Sequence, residues 1–111
     1  MIGHLHSLRH LVKDVLAGRP AKLRSPKWHA CRKRHLAQQP ECQWCGHTVK
    51  CEIHHVKSFH EYPKLELVET NLITLCEAPA LQCHLRHGHQ GNWKTNNPDI
   101  RAECAKQRPF K

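Results

Sequence analysis

No stretch of about 18 consecutive apolar residues occurs in this 111-residue sequence, which excludes a membrane-spanning helix. Aromatic residues make up only 5% and the mean hydropathy is −0.71, so the apolar core must be thin. A small scaffold with so little core needs a staple, either a disulfide or a metal. Acidic residues are scarce as well, 9 Asp and Glu against 18 Lys and Arg. The scarcity is local: residues 1–40 hold half of the cations and a single acid, Asp14, whereas the charges beyond residue 40 nearly balance. There is no internal repeat and no low-complexity segment. The first ten residues, broken by His4, His6, Arg9 and His10, lack a signal peptide's apolar stretch, so a reducing cytoplasm is expected. There the 7 cysteines read as thiolates, and their odd number leaves at least one unpaired under any disulfide scheme.

What abounds is metal-ligating chemistry, with 12 His and 7 Cys in a chain of single-domain length. The basic N-terminal third calls for a polyanionic partner, and nucleic acid is the commonest, because each neutralised phosphate releases counterions. Leu5, Leu8, Leu11, Val12, Val15 and Leu16 recur at helical spacing, and Gly18 and Pro20 stop the pattern, so residues 5–17 read as an amphipathic helix able to dock on a protein partner. Residues 1–24 thus form a helix and a basic linker, ahead of a domain over residues 25–107. Ser25-Pro26 opens a second helix that ends before Pro40, with Trp28, Cys31 and Leu36 facing inward. Val49, Cys51 and Ile53 alternate with polar residues as in a strand, and Leu72 to Leu75 form a second one. A loop over residues 57–70 joins them. A short helix is expected from Cys83 to about Gly88, and a last one from Pro98 to about Gln107.

Cys42-Gln43-Trp44-Cys45 followed by Gly46 is a Cys-x2-Cys knuckle, a spacing that lets two thiolates occupy adjacent corners of a tetrahedron. Cys76 and Cys83, some 31 residues on, complete a four-cysteine set that clamps the ends of the intervening hairpin. Such a site is closed, hence a structural zinc site, and chemistry must come from elsewhere. Cys31, Cys51 and Cys104 fit a core role. His54-His55 closes the first strand, and His84, His87 and His89 cluster just after the last cysteine of the set. Neutral imidazole serves as a metal ligand or as a base near neutral pH, so an adjacent pair on a strand can divide the two tasks between its faces.

The order Cys42-x2-Cys45, Glu52-Ile53-His54-His55-Val56, Asn71-Leu72-Ile73-Thr74-Leu75-Cys76 and Cys83-His84 resembles the HNH endonuclease family. Ser25-Pro26-Lys27-Trp28, Gly88-His89-Gln90-Gly91-Asn92-Trp93 and Asn97-Pro98-Asp99 resemble its phage- and bacteria-associated branch, so the likeness spans about residues 25–105. The resemblance implies an α+β, metal-stabilised domain: a ββα-metal (His-Me finger) core with flanking N- and C-terminal helices. It also implies that His54 and His84 hold a catalytic metal, that His55 is the general base and that Asn71 holds the loop between the strands. Family members often carry a further His where this chain has Gly88. His87 and His89 straddle that position, and His89 fits the branch pattern better.

The implied activity is hydrolysis of DNA phosphodiester bonds, with one divalent cation stabilising the leaving 3′-oxygen. Mg2+, Mn2+, Ni2+ and Zn2+ all suit imidazole and water ligands. Lys27, Arg32, Lys33, Arg34, Lys50, Lys57, Lys94 and Arg101 are the expected phosphate contacts, which position a duplex without reading its sequence. Two other readings compete: a non-catalytic zinc-ribbon-like nucleic-acid-binding module, and an accessory protein of phage packaging. Glu52-Ile53-His54-His55 with Asn71 argues against the first, since a binding module needs neither the His pair nor the Asn.

Overall fold

The computed structural model describes residues 24–108. The helix expected over residues 5–17, and the linker after it, lie outside the described residues. The remainder is a small mixed domain of two α-helices and a two-stranded antiparallel sheet. No helix among the described residues is long and apolar enough to cross a membrane.

Helix α1 runs Trp28–Gln38, two residues later than the Ser25-Pro26 signal suggests. The Ser25 hydroxyl accepts the Lys27 N–H, and the Ser25 carbonyl accepts that of Trp28, so these residues form a turn leading into the helix. Cys31 is buried and Trp28 and Leu36 are partly buried, as expected, but His35 is buried as well. Its ring satisfies both nitrogens, on the Glu69 carboxylate and on Gln39 Oε1. That pairing is what allows an imidazole on the inner face.

Strand β1 (Cys51–His55) pairs with β2 (Leu72–Cys76), with Ile53 opposite Thr74, His54 opposite Ile73 and His55 opposite Leu72. Val49, expected in the strand, instead lies in a turn with Lys50 and is exposed. Lys50 there adopts a φ of 52°. The sheet is sandwiched: Ile53 and Leu72 pack with Cys31 of α1, while Ile73, Leu75 and Cys76 pack with Cys42, Cys83 and helix α2 (Ile100–Gln107) through Ile100 and Cys104. Burial on both faces leaves every residue of β2 inaccessible, although the strand is only five residues long. Its outer edge is covered too, since Thr74 donates its N–H and hydroxyl to Gln39 and accepts from the Gln43 N–H.

Between the strands, two 3-10 turns (Pro63–Leu65 and Glu69–Asn71) shape residues 57–70. After β2, Cys83 leads into a single π-helical turn, His84–Gly88. Helix α2 starts beyond Pro98 because the Asn97 side chain accepts the Asp99 N–H and donates to Glu103, an arrangement that orients the first turn.

Candidate metal centres and base

The four cysteines converge. The Sγ atoms of Cys42, Cys45, Cys76 and Cys83 all lie within 4.8 Å of one another, with Cys45 and Cys76 at 3.7 Å. Corners of a tetrahedral zinc–thiolate site are about 3.8 Å apart, given Zn–S bonds of about 2.3 Å. Two local devices bring them together. Gly46 follows the knuckle at φ 87°, a conformation that side chains resist, and the Arg108 guanidinium lies against it and donates to the Cys42 carbonyl. The six residues between Cys76 and Cys83 fold into a turn in which Leu81 and Gln82 both donate to the Ala78 carbonyl, and Gln82, at φ 49°, turns the chain back. The wide gap is therefore a folded loop. Burial pushes the Cys45 thiol up to about 11 and raises Cys83 further. At Cys76 burial acts the same way, but N–H donors from Cys83 and Ala78, together with the thiols of Cys45 and Cys83, outweigh it and lower the thiol. Four thiol groups packed this closely are stable as thiolates when a cation neutralises them, so the donor set fits zinc.

The second cluster is made of imidazoles. Ring nitrogens of His54, His84 and His89 lie within 4.8 Å of one another. His84 donates Nδ1–H to the Glu77 carboxylate at 2.8 Å, and His89 donates Nδ1–H to the Thr95 carbonyl at 2.7 Å. These partners fix the tautomers, leaving lone pairs on both Nε2 atoms, which face each other at 3.3 Å. Facing lone pairs repel unless a proton or cation lies between them. Two nitrogens on one metal are about 3.0–3.4 Å apart at metal–nitrogen bonds near 2.1 Å, so the spacing fits. The third ring, His54, is 1% exposed, and neither of its nitrogens has a hydrogen-bond partner among the described residues. An orphaned buried imidazole costs about 1–3 kcal/mol unless something ligates it. Burial, then the neighbouring imidazoles, hold His54 down to about 2, so it is neutral and able to donate its lone pair.

Glycine at position 88 has a packing reason. A Cβ there would stand 2.9 Å from Leu75 Cδ1 and 3.2 Å from the His54 ring. His87, the alternative third ligand, points elsewhere and stacks on Trp44 at 3.6 Å between ring centroids.

His55 occupies the other face of β1, 4.8 Å from the Trp28 ring. Its Nε2–H donates to the Glu66 carbonyl at 3.0 Å, which leaves the lone pair on Nδ1. Burial, the largest influence, lowers this imidazole to about 4. Asn71 fastens the loop that carries Glu66: its Oδ1 accepts the Lys57 N–H, and its Nδ2 donates to the carbonyls of Lys57 and Leu65.

Residues 42–90 match the family model described as HNH endonuclease. Over these residues the chain is similar to an HNH domain. No curated protein and no solved structure matches the chain. The two-stranded sheet followed by a helical turn, with Cys and His clusters that could hold metal ions, is consistent with the ββα-metal arrangement of that family.

The expected cationic residues of the HNH domain fall into three groups. Lys27, Lys33, Lys50, Lys57 and Lys94 are exposed, Lys57 with its ammonium 5.2 Å from the Tyr62 ring. Arg32 is ion-paired to Glu52, and Arg34 to Glu69 at 3.6 Å. Arg101 is a structural strut, donating to the carbonyls of Thr70 and Leu72.

Sequence reasoning missed Glu77, Thr95 and Glu66, the partners that orient His84, His89 and His55. Glu77 had a weak signal, standing directly after Cys76 of the four-cysteine cluster. Thr95 and Glu66 act through main-chain carbonyls, which residue type does not reveal. Cys31 and Cys104 are buried as expected, but Cys51 is only partly so and donates its thiol to the His47 carbonyl.

Proposed function

We propose that this protein is a metal-dependent endonuclease that hydrolyses DNA phosphodiester bonds. One observation carries the reading: the adjacent residues His54 and His55 are divided by the strand, one orphaned within a three-imidazole cluster, the other neutral and tautomerically fixed. In this reading His55 Nδ1 takes a proton from water, and the Nε2 contact to the Glu66 carbonyl supports it. The water oxygen forms a bond to phosphorus, the bond to the 3′-oxygen breaks in line, and that oxygen leaves with a proton from solvent, giving a 3′-hydroxyl and a 5′-phosphate. A divalent cation held by His54, His84 and His89 supplies positive charge for the scissile phosphate and leaving oxygen when bound. Mg2+, Mn2+, Ni2+ and Zn2+ remain the candidates. Glu77 and Thr95 keep the Nε2 lone pairs of His84 and His89 directed at that position. Asn71 holds the Glu66 carbonyl, and through it the orientation of His55.

Zinc at Cys42, Cys45, Cys76 and Cys83 is the proposed structural metal. Lys27, Lys33, Lys50 and Lys57 contact backbone phosphates, joined by Arg32 and Arg34 once these exchange their carboxylate partners for phosphate. Specificity is weak or supplied by a partner that docks on residues 1–24.

The test is plasmid cleavage by wild type and His55→Ala under matched Mg2+, Mn2+ or Ni2+, with zinc content and DNA binding measured on both. Loss of about two to four decades of rate in His55→Ala, with zinc and DNA binding retained, is expected. If both proteins bind DNA and zinc but neither cuts with any metal, the role is a non-catalytic one.

A further inference from the structure

We infer that Trp93 is a stacking platform for an unpaired base next to the scissile phosphate, so that the site acts preferentially on single-stranded or frayed DNA. The inference rests on the endonuclease reading and adds a substrate class to it. Trp93 is an exposed large hydrophobic residue, at 55%, whereas the other two tryptophans are used internally: Trp28 packs on His55 and Trp44 on His87. Its ring lies 5.2 Å from that of His84 and 5.0 Å from that of His89, at the rim of the imidazole cluster. The indole face is thus next to the rings that would hold the metal and, through it, the scissile phosphate.

The loop that carries it is stiff, which a stacking platform requires. Asn92 donates its N–H to the His89 carbonyl and accepts from the N–H groups of Lys94 and Thr95. The Thr95 hydroxyl also reaches the His89 and Asn92 carbonyls, while the Thr95 carbonyl holds His89 Nδ1. Asn96 donates to the carbonyls of His55 and Val56, and the Asn97 N–H donates to that of Gly88. The loop is thus tied both to a ligand histidine and to the strand carrying the base, so Trp93 is held in one position relative to both. Exposed Lys94 beside it supplies charge for the phosphate of the stacked nucleotide.

An indole face binds any base but needs that base unstacked, which a closed B-form duplex does not offer. A purely structural Trp93, shielding His84 and His89 from water, predicts loss of metal rather than loss of one class of DNA.

The experiment measures binding of a short single-stranded oligodeoxynucleotide and of a hairpin duplex to His55→Ala, which prevents turnover, and to the same protein with Trp93→Ala or Trp93→Phe. Trp93→Ala is expected to weaken single-strand binding about five- to a hundredfold while leaving duplex binding and both metal contents unchanged. Trp93→Phe should restore most of the affinity. Unchanged single-strand affinity in Trp93→Ala, an equal loss for both DNA forms, or loss of metal would each overturn the inference. Cleavage of the same single-stranded and hairpin oligodeoxynucleotides by the wild type separates the two readings. Trp93-dependent binding without cleavage leaves the platform and removes the nuclease, and cleavage with Trp93-independent binding does the reverse.

Discussion

The backbone of Gly88 lies against the His54 ring so closely that a single added carbon would stand 3.2 Å from its Cε1 and Nδ1. The same carbon would meet Leu75 Cδ1 at 2.9 Å, on the opposite strand. A π-helical turn and a strand thus interlock through one glycine, and the interlock sets where His54 sits relative to His84 and His89.

Gly88→Ala is therefore expected to displace His54 or Leu75. Overpacking a tight site costs about 1–3 kcal/mol, seen as a lower denaturation midpoint. Binding of Mn2+ or Ni2+ at the imidazole cluster, followed by calorimetry, should weaken, while zinc content at the four cysteines stays the same. Metal affinity equal to wild type would contradict the packing argument.

The division among the cations predicts unequal contributions to DNA binding. Lys27, just before α1, and Lys33 on it are exposed, whereas Arg34 already faces Glu69. Replacing both lysines by Ala should lower the slope of log affinity against log salt concentration by about one for each phosphate that is no longer neutralised. Arg34→Ala should change it less, because the arginine must first give up a carboxylate. Titrations at several salt concentrations check this, and equal slopes for the two variants would refute it.

Acid should destabilise the fold from a predictable point. His54 and His55 are buried and held at about 2 and about 4, against an ordinary 6.5. Between those values and 6.5 the unfolded chain binds protons that the folded chain does not, so stability is full above about pH 6.5 and falls as pH drops towards 4. Each unit of difference is worth on the order of 1.4 kcal/mol per histidine, and proton competition for the ligand nitrogens acts in the same direction. Urea midpoints at a series of pH values test this. A midpoint unchanged between pH 7 and 5 would show that these rings are accessible in the folded protein.

The ligand types and their pairing along the chain are legible in the sequence itself, because a knuckle such as Cys42-Gln43-Trp44-Cys45 and an adjacent pair such as His54-His55 express local geometry. A tight turn brings two thiolates together, and a strand sends neighbours to opposite faces. Helix α1, both strands and the last helix are visible for the same reason, through periodicity and proline punctuation, with starts displaced by two residues where turns at Ser25 and Val49 compete. Tertiary structure alone decided that the Cys76 to Cys83 loop closes the four-cysteine set, and that His89 rather than His87 joins His54 and His84. It also decided that Glu77, Thr95 and Glu66 fix the tautomers of His84, His89 and His55. Those outcomes depend on which groups meet across the fold, through a left-handed residue at Gln82, a ring stacked on Trp44 and carbonyls aimed by Asn71 and by the loop after His89. Sequence specifies the chemistry available to this chain, whereas packing determines which nitrogen carries a lone pair and where it points.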